Sequence, residues 1–151
     1  MKTVADQMTR ATRLGSESFI IILDMDHFKS INDKYGHQSG DIVLQEATTR
    51  VSSALRSYDL FARYGGEEFI IFVADINQES VAALTERLRL SIAETEICVK
   101  GTSLSVTASL GVAPATPVNE LDSAIALADN ALYQAKQEGR NKVYHYSHNY
   151  L

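Results

Sequence analysis

The chain has 151 residues, of which 45% are hydrophobic and 22% charged, a composition typical of a single globular domain with a substantial core. Its net charge of −5 argues against nucleic acid as a partner, and no apolar run is long enough to cross a membrane. The single cysteine, Cys98, excludes an internal disulfide and indicates a reducing compartment such as the cytoplasm, and its apolar neighbours predict a small core residue.

The first half of the chain contains apolar patterns that predict both strands and helices. Residues 19–23 form an unbroken apolar run that ends at Asp24, which predicts a central strand. After Asp26, apolar residues recur every three or four positions, as in a short helix that ends at Gly36. Three further elements are predicted: a helix at about 40–55, a hairpin at about 59–74 and an amphipathic helix at about 78–94.

The second half of the chain continues in the same way. Residues 97–99 are apolar, and apolar side chains alternate through residues 103–113, which predicts a strand. Pro114 and Pro117 then interrupt the chain. A helix and a final strand are predicted after them, at about 121–138 and 142–144. Strands joined both by a hairpin and by helices predict an α/β (α+β) fold, a mixed central sheet flanked by helices, compatible with a ferredoxin-like palm.

The segment 63–73 combines two strand-like runs with Gly65-Gly66 and the adjacent carboxylates of Glu67 and Glu68. Two glycines between apolar runs predict a tight hairpin turn, because both residues tolerate positive φ. A turn alone does not require the carboxylates, and glycines without side chains let a ligand approach the backbone closely. The segment therefore predicts a site for a cation-bound phosphate.

Acidic residues at the predicted strand ends favour a metal site. Asp24 follows the first strand and Glu67 precedes the last strand of the hairpin, so their carboxylates can converge. Mg²⁺ prefers one or two carboxylates together with phosphate oxygens and water. Asp26 taken alone is better explained as the N-terminal cap of the next helix. Capping does not explain carboxylates from two segments, so Asp24 and Glu67 together are predicted to bind metal.

The first two predicted helices have a nucleotide-binding interpretation and a structural one. A helix that begins near His27 directs free backbone N–H groups towards a triphosphate, with Lys29 adding charge, although most helix starts bind nothing. Asp41 can accept hydrogen bonds from guanine N–H groups, and Asn32 can add an amide. Spacing alone favours the structural alternative, in which Asp41 caps the second helix and Asn32 stabilises a turn.

Three motifs change this balance when they are read together. They are Asp-x-Asp-x-Phe-Lys-x-Ile-Asn-Asp at residues 24–33, Gly-His-x-x-Gly-Asp at 36–41 and Gly-Gly-Glu-Glu-Phe at 65–69. In order and spacing they resemble the signature of the GGDEF-domain diguanylate cyclases, in its GGEEF form, and further similarity extends the resemblance to about residues 19–146. The resemblance implies the ferredoxin-like palm of nucleotidyl cyclases. It also implies a reaction that condenses two GTP molecules into cyclic di-GMP and releases two pyrophosphates.

The resemblance also assigns roles to individual residues. It implies that Asp24, the Met25 carbonyl and Glu67 hold Mg²⁺ or Mn²⁺ with Glu68 assisting, and that Glu67 accepts a proton. It implies a GTP site made by His27, Phe28, Lys29, Asn32, His37, Asp41, Lys136 and Arg140. Two domains, each with one GTP, would then meet as a transient antiparallel homodimer. The last two cations also have a structural explanation, because positive charge stabilises a helix C-terminus.

A second site is implied just before the hairpin. Arg56 and Asp59 form an Arg-x-x-Asp pattern that resembles the family's inhibitory site for cyclic di-GMP, and Arg87 is implied as a further contact. The structural alternative is a solvated helix end. A catalytically silent domain that only senses cyclic di-GMP would carry the same pattern, but such a domain has no need of the acidic residues at the metal site. A domain that docks a partner and binds no nucleotide is a third alternative.

The beginning of the chain departs from the family's pattern. Members usually begin with Asp-x-Leu-Thr-Gly-Leu-x-Asn-Arg, whereas this chain begins Met-Lys-Thr-Val-Ala-Asp. We therefore expect residues 1–151 to be a single GGDEF domain that lacks this segment and any N-terminal sensory domain.

Overall fold

The structure is a computed structural model that describes residues 4–116 and 121–147. The elements in these residues are α1 (Val4–Arg13), β1 (Ser18–Met25), α2 (Phe28–Tyr35), α3 (His37–Ala54), β2 (Leu60–Arg63), β3 (Glu68–Ala74), α4 (Gln78–Ala93), β4 (Ile97–Val99), β5 (Thr102–Leu104), β6 (Ala108–Pro114), α5 (Leu121–Gln137) and β7 (Val143–His145). Within the described ranges, no helix is both long and apolar enough to cross a membrane.

Five strands form one mixed sheet with the order β2-β3-β1-β6-β7. Its pairings are antiparallel except that β7 runs parallel to β6. Strands β4 and β5 form a separate two-stranded hairpin. The predicted mixed sheet with flanking helices is therefore confirmed, and the apolar run at residues 19–23 lies in the central strand.

Strand β1 is buried along its whole length because helices cover both faces of the sheet. Phe19, Ile21 and Leu23 pack with residues of α3 and α4, whereas Ile20 and Ile22 pack with residues of α1 and α5. This alternation is the two-residue period of a strand. The next position of the second series is Asp24, so the carboxylate lies on the side of the sheet that α5 covers.

Two predicted boundaries are wrong, and one helix has no predicted counterpart. Helix α1 is mostly polar, but Val4, Met8 and Ala11 recur at helical spacing and form its packed side. Helix α3 begins at His37 rather than near residue 40. The predicted strand at 103–113 is divided between β5 and β6, because residues 105–107 leave one sheet for the other while the apolar alternation continues.

Cys98 is exposed and is not a core residue as predicted. Its neighbours Ile97 and Val99 are buried, and the strand period therefore turns the cysteine outward. Pro114 is the last residue of β6, whereas Pro117 lies outside the described residues.

Helix α5 packs on β6 at a distance that only glycine permits. A Cβ atom on Gly111 would lie 2.1 Å from the carbonyl oxygen of Ala128 and 2.3 Å from the backbone nitrogen of Leu132. Both are backbone atoms of α5, so no side-chain rotation can relieve the overlap. The close approach matters for function because α5 carries Lys136 to the end of β1.

We expect Gly111→Ala to destabilise the protein by about 3 kcal/mol or more, because α5 must move away from the sheet. The measurement is the free energy of unfolding in urea. Gly66→Ala is the matched control, since a Cβ atom there meets nothing within 4 Å and its φ is not positive. Equal stability of the two variants would show that α5 does not approach β6 as described.

Candidate functional site

Two carboxylates from neighbouring strands meet on one face of the sheet. Asp24 at the end of β1 lies directly opposite Glu68 at the start of β3 in the antiparallel register. Asp24 is 5% exposed, and Lys136 from the last turn of α5 donates a hydrogen bond from Nζ to its Oδ2 at 2.9 Å. The sequence interpretation paired Asp24 with Glu67, whereas the register makes Glu68 its direct neighbour.

The electrostatics of this group show too little positive charge. Burial raises the pKa of Asp24 despite the hydrogen bond from Lys136, and the nearby charge of Glu67 raises it further. Burial also raises the pKa of Glu68, as do the charges of Asp24 and Asp129. Partial burial raises the pKa of Asp129 as well. Sequence reasoning gave Asp129 no role, because its proximity to Glu68 comes from the docking of α5.

The oxygen atoms at this place suit a hard divalent cation. Asp24 is a buried carboxylate and Glu68 a half-buried one, and the strand register places them opposite each other. The main chain of Glu67 is held against the end of β1, because its carbonyl accepts from the Met25 N–H at 3.2 Å. In the part of the chain that the structure describes, no three acidic, histidine or cysteine side chains form a complete metal cage. Few protein ligands, with the rest from phosphate and water, are what Mg²⁺ prefers.

The glycine loop has a different conformation from the predicted one. The connection between β2 and β3 is residues 64–67, and neither Gly65 nor Gly66 has positive φ, so that part of the prediction is wrong. Instead, Arg63 holds the loop by donating from Nε to the carbonyl oxygens of Gly66 at 3.0 Å and Gly65 at 3.2 Å. The backbone conformation therefore does not require these glycines. Their absent side chains leave open surface beside the carboxylates.

The corner between α2 and α3 contains an unsatisfied polar atom. Asn32 Oδ1 is buried and has no hydrogen-bond partner among the described residues. It occupies the space above Gly40, where a Cβ atom would lie 1.9 Å from it. Asp41 is the fifth residue of α3 and Asn32 lies inside α2, so the structural alternatives of capping and turn stabilisation are wrong for both.

Asp41 faces a cleft of about 540 Å³ between α3 and the hairpin. Arg63 and Phe69 line its hairpin side, and the α3 side is lined by Asp41, Leu44, Gln45, Thr48 and Thr49. Asp41 follows Gly40, against which Asn32 packs, and Arg63 on the opposite side of the cleft holds the glycine loop. The structure brings these predicted GTP-binding residues into one region.

The other predicted GTP-binding residues lie around the start of α2 and the end of α5. Phe28 is buried in the core, so only its backbone can face a ligand. Lys29, His37 and Arg140 are exposed, with no side-chain hydrogen bond inside the described ranges. Lys136 is half-buried against Asp24, and its place in the last turn of α5 also fits the helix-terminus explanation.

Asp26 does not cap α2, and that prediction is wrong. The N-cap position is His27, which has left-handed backbone angles and makes no side-chain capping hydrogen bond. The carboxylate of Asp26 is 4% exposed and accepts three hydrogen bonds. The donors are Ser109 in β6, Thr107 just before β6 and the backbone N–H of Asn141 after α5. Sequence spacing could not reveal these partners, because they lie more than 80 residues away.

The residues of the predicted inhibitory site line a separate cleft of about 420 Å³. Asp59 is 1% exposed at its side chain and accepts from the Arg56 backbone N–H at 2.8 Å and from Nη2 at 2.8 Å. The Arg56 guanidinium also donates to the Ala74 carbonyl at 2.7 Å and lies 4.5 Å from the centre of the Tyr58 ring. Arg87 completes the cleft from α4 and is exposed. Asp59 therefore orients Arg56, and the solvated-end alternative does not describe this arrangement.

We expect Glu68→Gln to raise the melting temperature at neutral pH in the absence of divalent cations. A carboxyl whose pKa is raised by folding is disfavoured in its ionised form, so removing its charge relieves a penalty. The penalty exists above the folded pKa and is lost as the pH falls through it, so the gain over the parent should shrink on acidification.

The predicted metal role of Glu68 implies that the same variant loses most of the stabilisation by Mg²⁺ or Mn²⁺, because a carboxylate oxygen that would bind the cation has lost its charge. Thermal unfolding with and without cation measures both effects. Glu17→Gln, at an exposed position, is the control. A Glu68→Gln protein that is less stable than the parent and equally stabilised by Mn²⁺ would contradict the claim that this group of carboxylates has too little positive charge.

The sequence is similar to a family of nucleotide cyclases. The family described as "Diguanylate cyclase, GGDEF domain" matches residues 1–142. Diguanylate cyclase A of Treponema denticola is 43% identical over 125 residues, which are 82% of this chain and 34% of that protein. Diguanylate cyclase DgcZ of Escherichia coli is 40% identical over 124 residues, 82% of this chain and 42% of that protein. The chain thus spans less than half the length of these relatives.

Solved structures share the fold over nearly the whole chain. Diguanylate cyclase SiaD of Pseudomonas aeruginosa, determined in complex with its activator SiaC, has a TM-score of 0.88 and 37% identity, covering 94% of this chain and 55% of that one. The coiled coil and GGDEF domain of DgcB from Caulobacter crescentus, determined with c-di-GMP, has a TM-score of 0.87 and 30% identity, covering 94% and 76%. The match over residues 1–142, together with these relatives, shows that the chain belongs to the GGDEF-domain family of diguanylate cyclases.

Proposed function

We propose that this domain condenses two GTP molecules into cyclic di-GMP and releases two pyrophosphates. The observation that carries the proposal is the cluster of Asp24, Glu67 and Glu68 beside the open glycine loop, with Lys136 as its cationic hydrogen-bond partner. The three carboxylates outnumber this one cation, and a divalent cation that arrives with the triphosphate would offset the excess negative charge. A silent sensor domain has no use for it, so the catalytic function is favoured over the binding-only alternative.

The reaction requires a 3′-hydroxyl of one nucleotide to attack the α-phosphorus of the other, with pyrophosphate leaving and the hydroxyl proton going to a base. Glu67 is the proposed base, because it is half-exposed and close enough for its charge to raise the pKa of Asp24. Asp24, the Met25 carbonyl, Glu67 and Glu68 would hold Mg²⁺ or Mn²⁺, which would lower the hydroxyl pKa and stabilise negative charge on the phosphate. Lys136 and Arg140 are proposed to contact phosphate oxygens. Their role is positioning and charge stabilisation.

Guanine selection is proposed to reside at the α2–α3 corner. The orphaned Asn32 Oδ1 is an acceptor that needs an N–H donor, and the Asp41 carboxylate is a second acceptor one residue beyond Gly40. The N1 and N2 positions of guanine offer such donors. Adenine lacks this pattern, so its binding would leave the acceptors without partners. His27, the backbone at Phe28, Lys29 and His37 are proposed to complete the site.

A product with two-fold symmetry requires two such half-sites. Each domain is proposed to hold one GTP, and two copies are proposed to face each other as a transient antiparallel homodimer. Activity should therefore be assayed at high protein concentration, where the encounter is frequent.

The test of the proposed function is incubation with GTP and Mg²⁺ followed by nucleotide chromatography. We expect the parent to form cyclic di-GMP and Glu67→Gln to lose at least about 100-fold in rate, since general base and charge effects are each of that order. Glu17→Gln is the control, and circular dichroism verifies the folds. A folded Glu67→Gln protein of near-parent rate would overturn the role of Glu67. A parent that binds cyclic di-GMP but forms none from GTP would support the sensor alternative.

The cleft of Arg56 and Arg87 is proposed to bind cyclic di-GMP and inhibit synthesis. The guanidinium of Arg56 is oriented by buried Asp59, and it keeps a partly exposed surface towards the cleft. The DgcB structures with c-di-GMP show that a protein of this fold binds this dinucleotide, and they support the proposal by similarity.

Arg87 allows a cleaner test of feedback than Arg56. Arg56→Ala would leave the buried Asp59 carboxylate without its cation and lower stability. Arg87 makes a single exposed hydrogen bond, to the Ala54 carbonyl at 3.2 Å. We expect Arg87→Ala to keep the initial rate and to raise the inhibition constant for cyclic di-GMP about tenfold, the value of one charge-assisted hydrogen bond.

The measurement is the initial rate at increasing concentrations of added cyclic di-GMP. Arg13→Ala, at an exposed arginine in the last turn of α1, is the control for loss of positive charge. Identical inhibition curves for Arg87→Ala and the parent would remove Arg87 from the product site.

A further inference from the structure

Asp26 is a buried carboxylate whose three hydrogen-bond donors come from two distant parts of the fold. Its Oδ1 accepts from Ser109 Oγ at 2.7 Å, and its Oδ2 accepts from Thr107 Oγ1 at 2.7 Å. Its Oδ2 also accepts from the backbone N–H of Asn141 at 3.0 Å. None of these donors is a cation. The carboxylate therefore serves as a fixed anchor between the end of β1, strand β6 and the segment that follows α5.

The segment anchored in this way has an unusual backbone. Gly139, Arg140 and Asn141 have φ values of +111°, +65° and +47°. Two consecutive non-glycine residues in the left-handed region are unfavourable, and such a conformation persists only where surrounding contacts enforce it. The turn therefore needs external hydrogen bonds to hold its shape.

The contacts that hold this turn lie on both sides of Arg140. On one side, the Arg140 N–H donates to the Ala135 carbonyl at 3.0 Å and closes the end of α5. On the other, Asn141 donates its N–H to Asp26 and accepts at Oδ1 from Arg89 Nη1 at 2.8 Å. The Arg140 side chain itself is exposed, with no hydrogen bond in the described residues. Its direction is thus set by the backbone on either side of it.

We propose that Asp26 is a positioning residue that holds the left-handed turn at residues 139–141, and thereby directs Arg140 towards the triphosphate of the bound nucleotide. The inference rests on the proposed function, in which Arg140 contacts phosphate. Asp26 itself is 4% exposed, and both of its carboxylate oxygens already accept hydrogen bonds from the protein. Its carboxylate is required because both oxygens accept, whereas an amide would place an N–H group against at least one donor.

The first test examines the turn without any nucleotide. Amide hydrogen exchange by NMR should show the Asn141 N–H protected in the parent and in Arg140→Ala, and exchanging much faster in Asp26→Asn. Ser109→Ala, which removes the donor on Oδ1 and leaves the Oδ2 bond in place, should keep the Asn141 amide protected. An Asn141 amide that exchanges in the parent like an exposed loop amide would overturn the inference. This arm needs no variant and remains decisive if Asp26→Asn does not fold.

The second test separates positioning from general stability. Dissociation constants are measured with Mg²⁺ for GMP and for a GTP analogue with a methylene group between the α- and β-phosphates. The dissociation constant of GMP divided by that of the analogue reports how much the outer phosphates contribute to binding. We expect this ratio to fall roughly tenfold in both Asp26→Asn and Arg140→Ala, with no further fall in the double variant. Ser109→Ala should lower stability and leave the ratio at the parent value.

The outcomes distinguish this inference from the proposed function. An unchanged ratio in folded Asp26→Asn overturns the inference, and so does a double variant whose loss is the full product of the two single losses. A parent that does not prefer the triphosphate overturns the proposed function and the inference with it. In that case the hydrogen-exchange result still shows separately whether Asp26 holds the turn.

Discussion

Strand β1 is buried on both faces, and this constraint determines how the carboxylates at its end are used. A carboxylate at the end of such a strand has little water around it and must find partners within the protein. Asp24 obtains Lys136 from α5, and Asp26 obtains two hydroxyl groups of the β6 region and a backbone N–H after α5. Both sets of hydrogen bonds hold the C-terminal end of α5 and the residues after it against the end of β1. The close packing of α5 on β6 at Gly111 makes this geometry possible.

The result is a centre with more negative than positive charge. The carboxyl groups of Asp24 and Glu68 lie side by side, Lys136 of α5 forms an ion pair with Asp24, and burial raises the pKa of both carboxyl groups. Neighbouring carboxylates repel each other and destabilise the fold, whereas a divalent cation with its bound phosphate would offset their charge, as the proposed function requires. Asn32 is a related case at the corner between α2 and α3, because its buried acceptor lacks a donor among the described residues.

Strand β3 connects the two candidate sites. Its first residue, Glu68, lies opposite Asp24, and its last residue, Ala74, accepts a hydrogen bond from Arg56 in the other cleft. Seven residues of extended chain separate the ends by about 20 Å. The interior of the strand from residue 71 onwards is buried, so both clefts are built on the same rigid element. The glycine loop and the Arg56 turn lie at the two ends of the β2–β3 hairpin.

The central strand, the helices α2, α4 and α5, the hairpin and the family could be predicted from the amino-acid sequence, because apolar periodicity and the spacing of short motifs are local properties. Which side chains contact each other follows from the way distant segments pack. Asp26 was predicted to cap α2, but its carboxylate instead accepts hydrogen bonds from donors more than 80 residues away in the sequence. The strand register makes Glu68 the direct neighbour of Asp24. Cys98 is exposed despite its apolar neighbours, because side chains alternate between the two faces of a strand. Hydrogen-bond partners and strand register depend on contacts between distant segments, and local spacing carries no information about them.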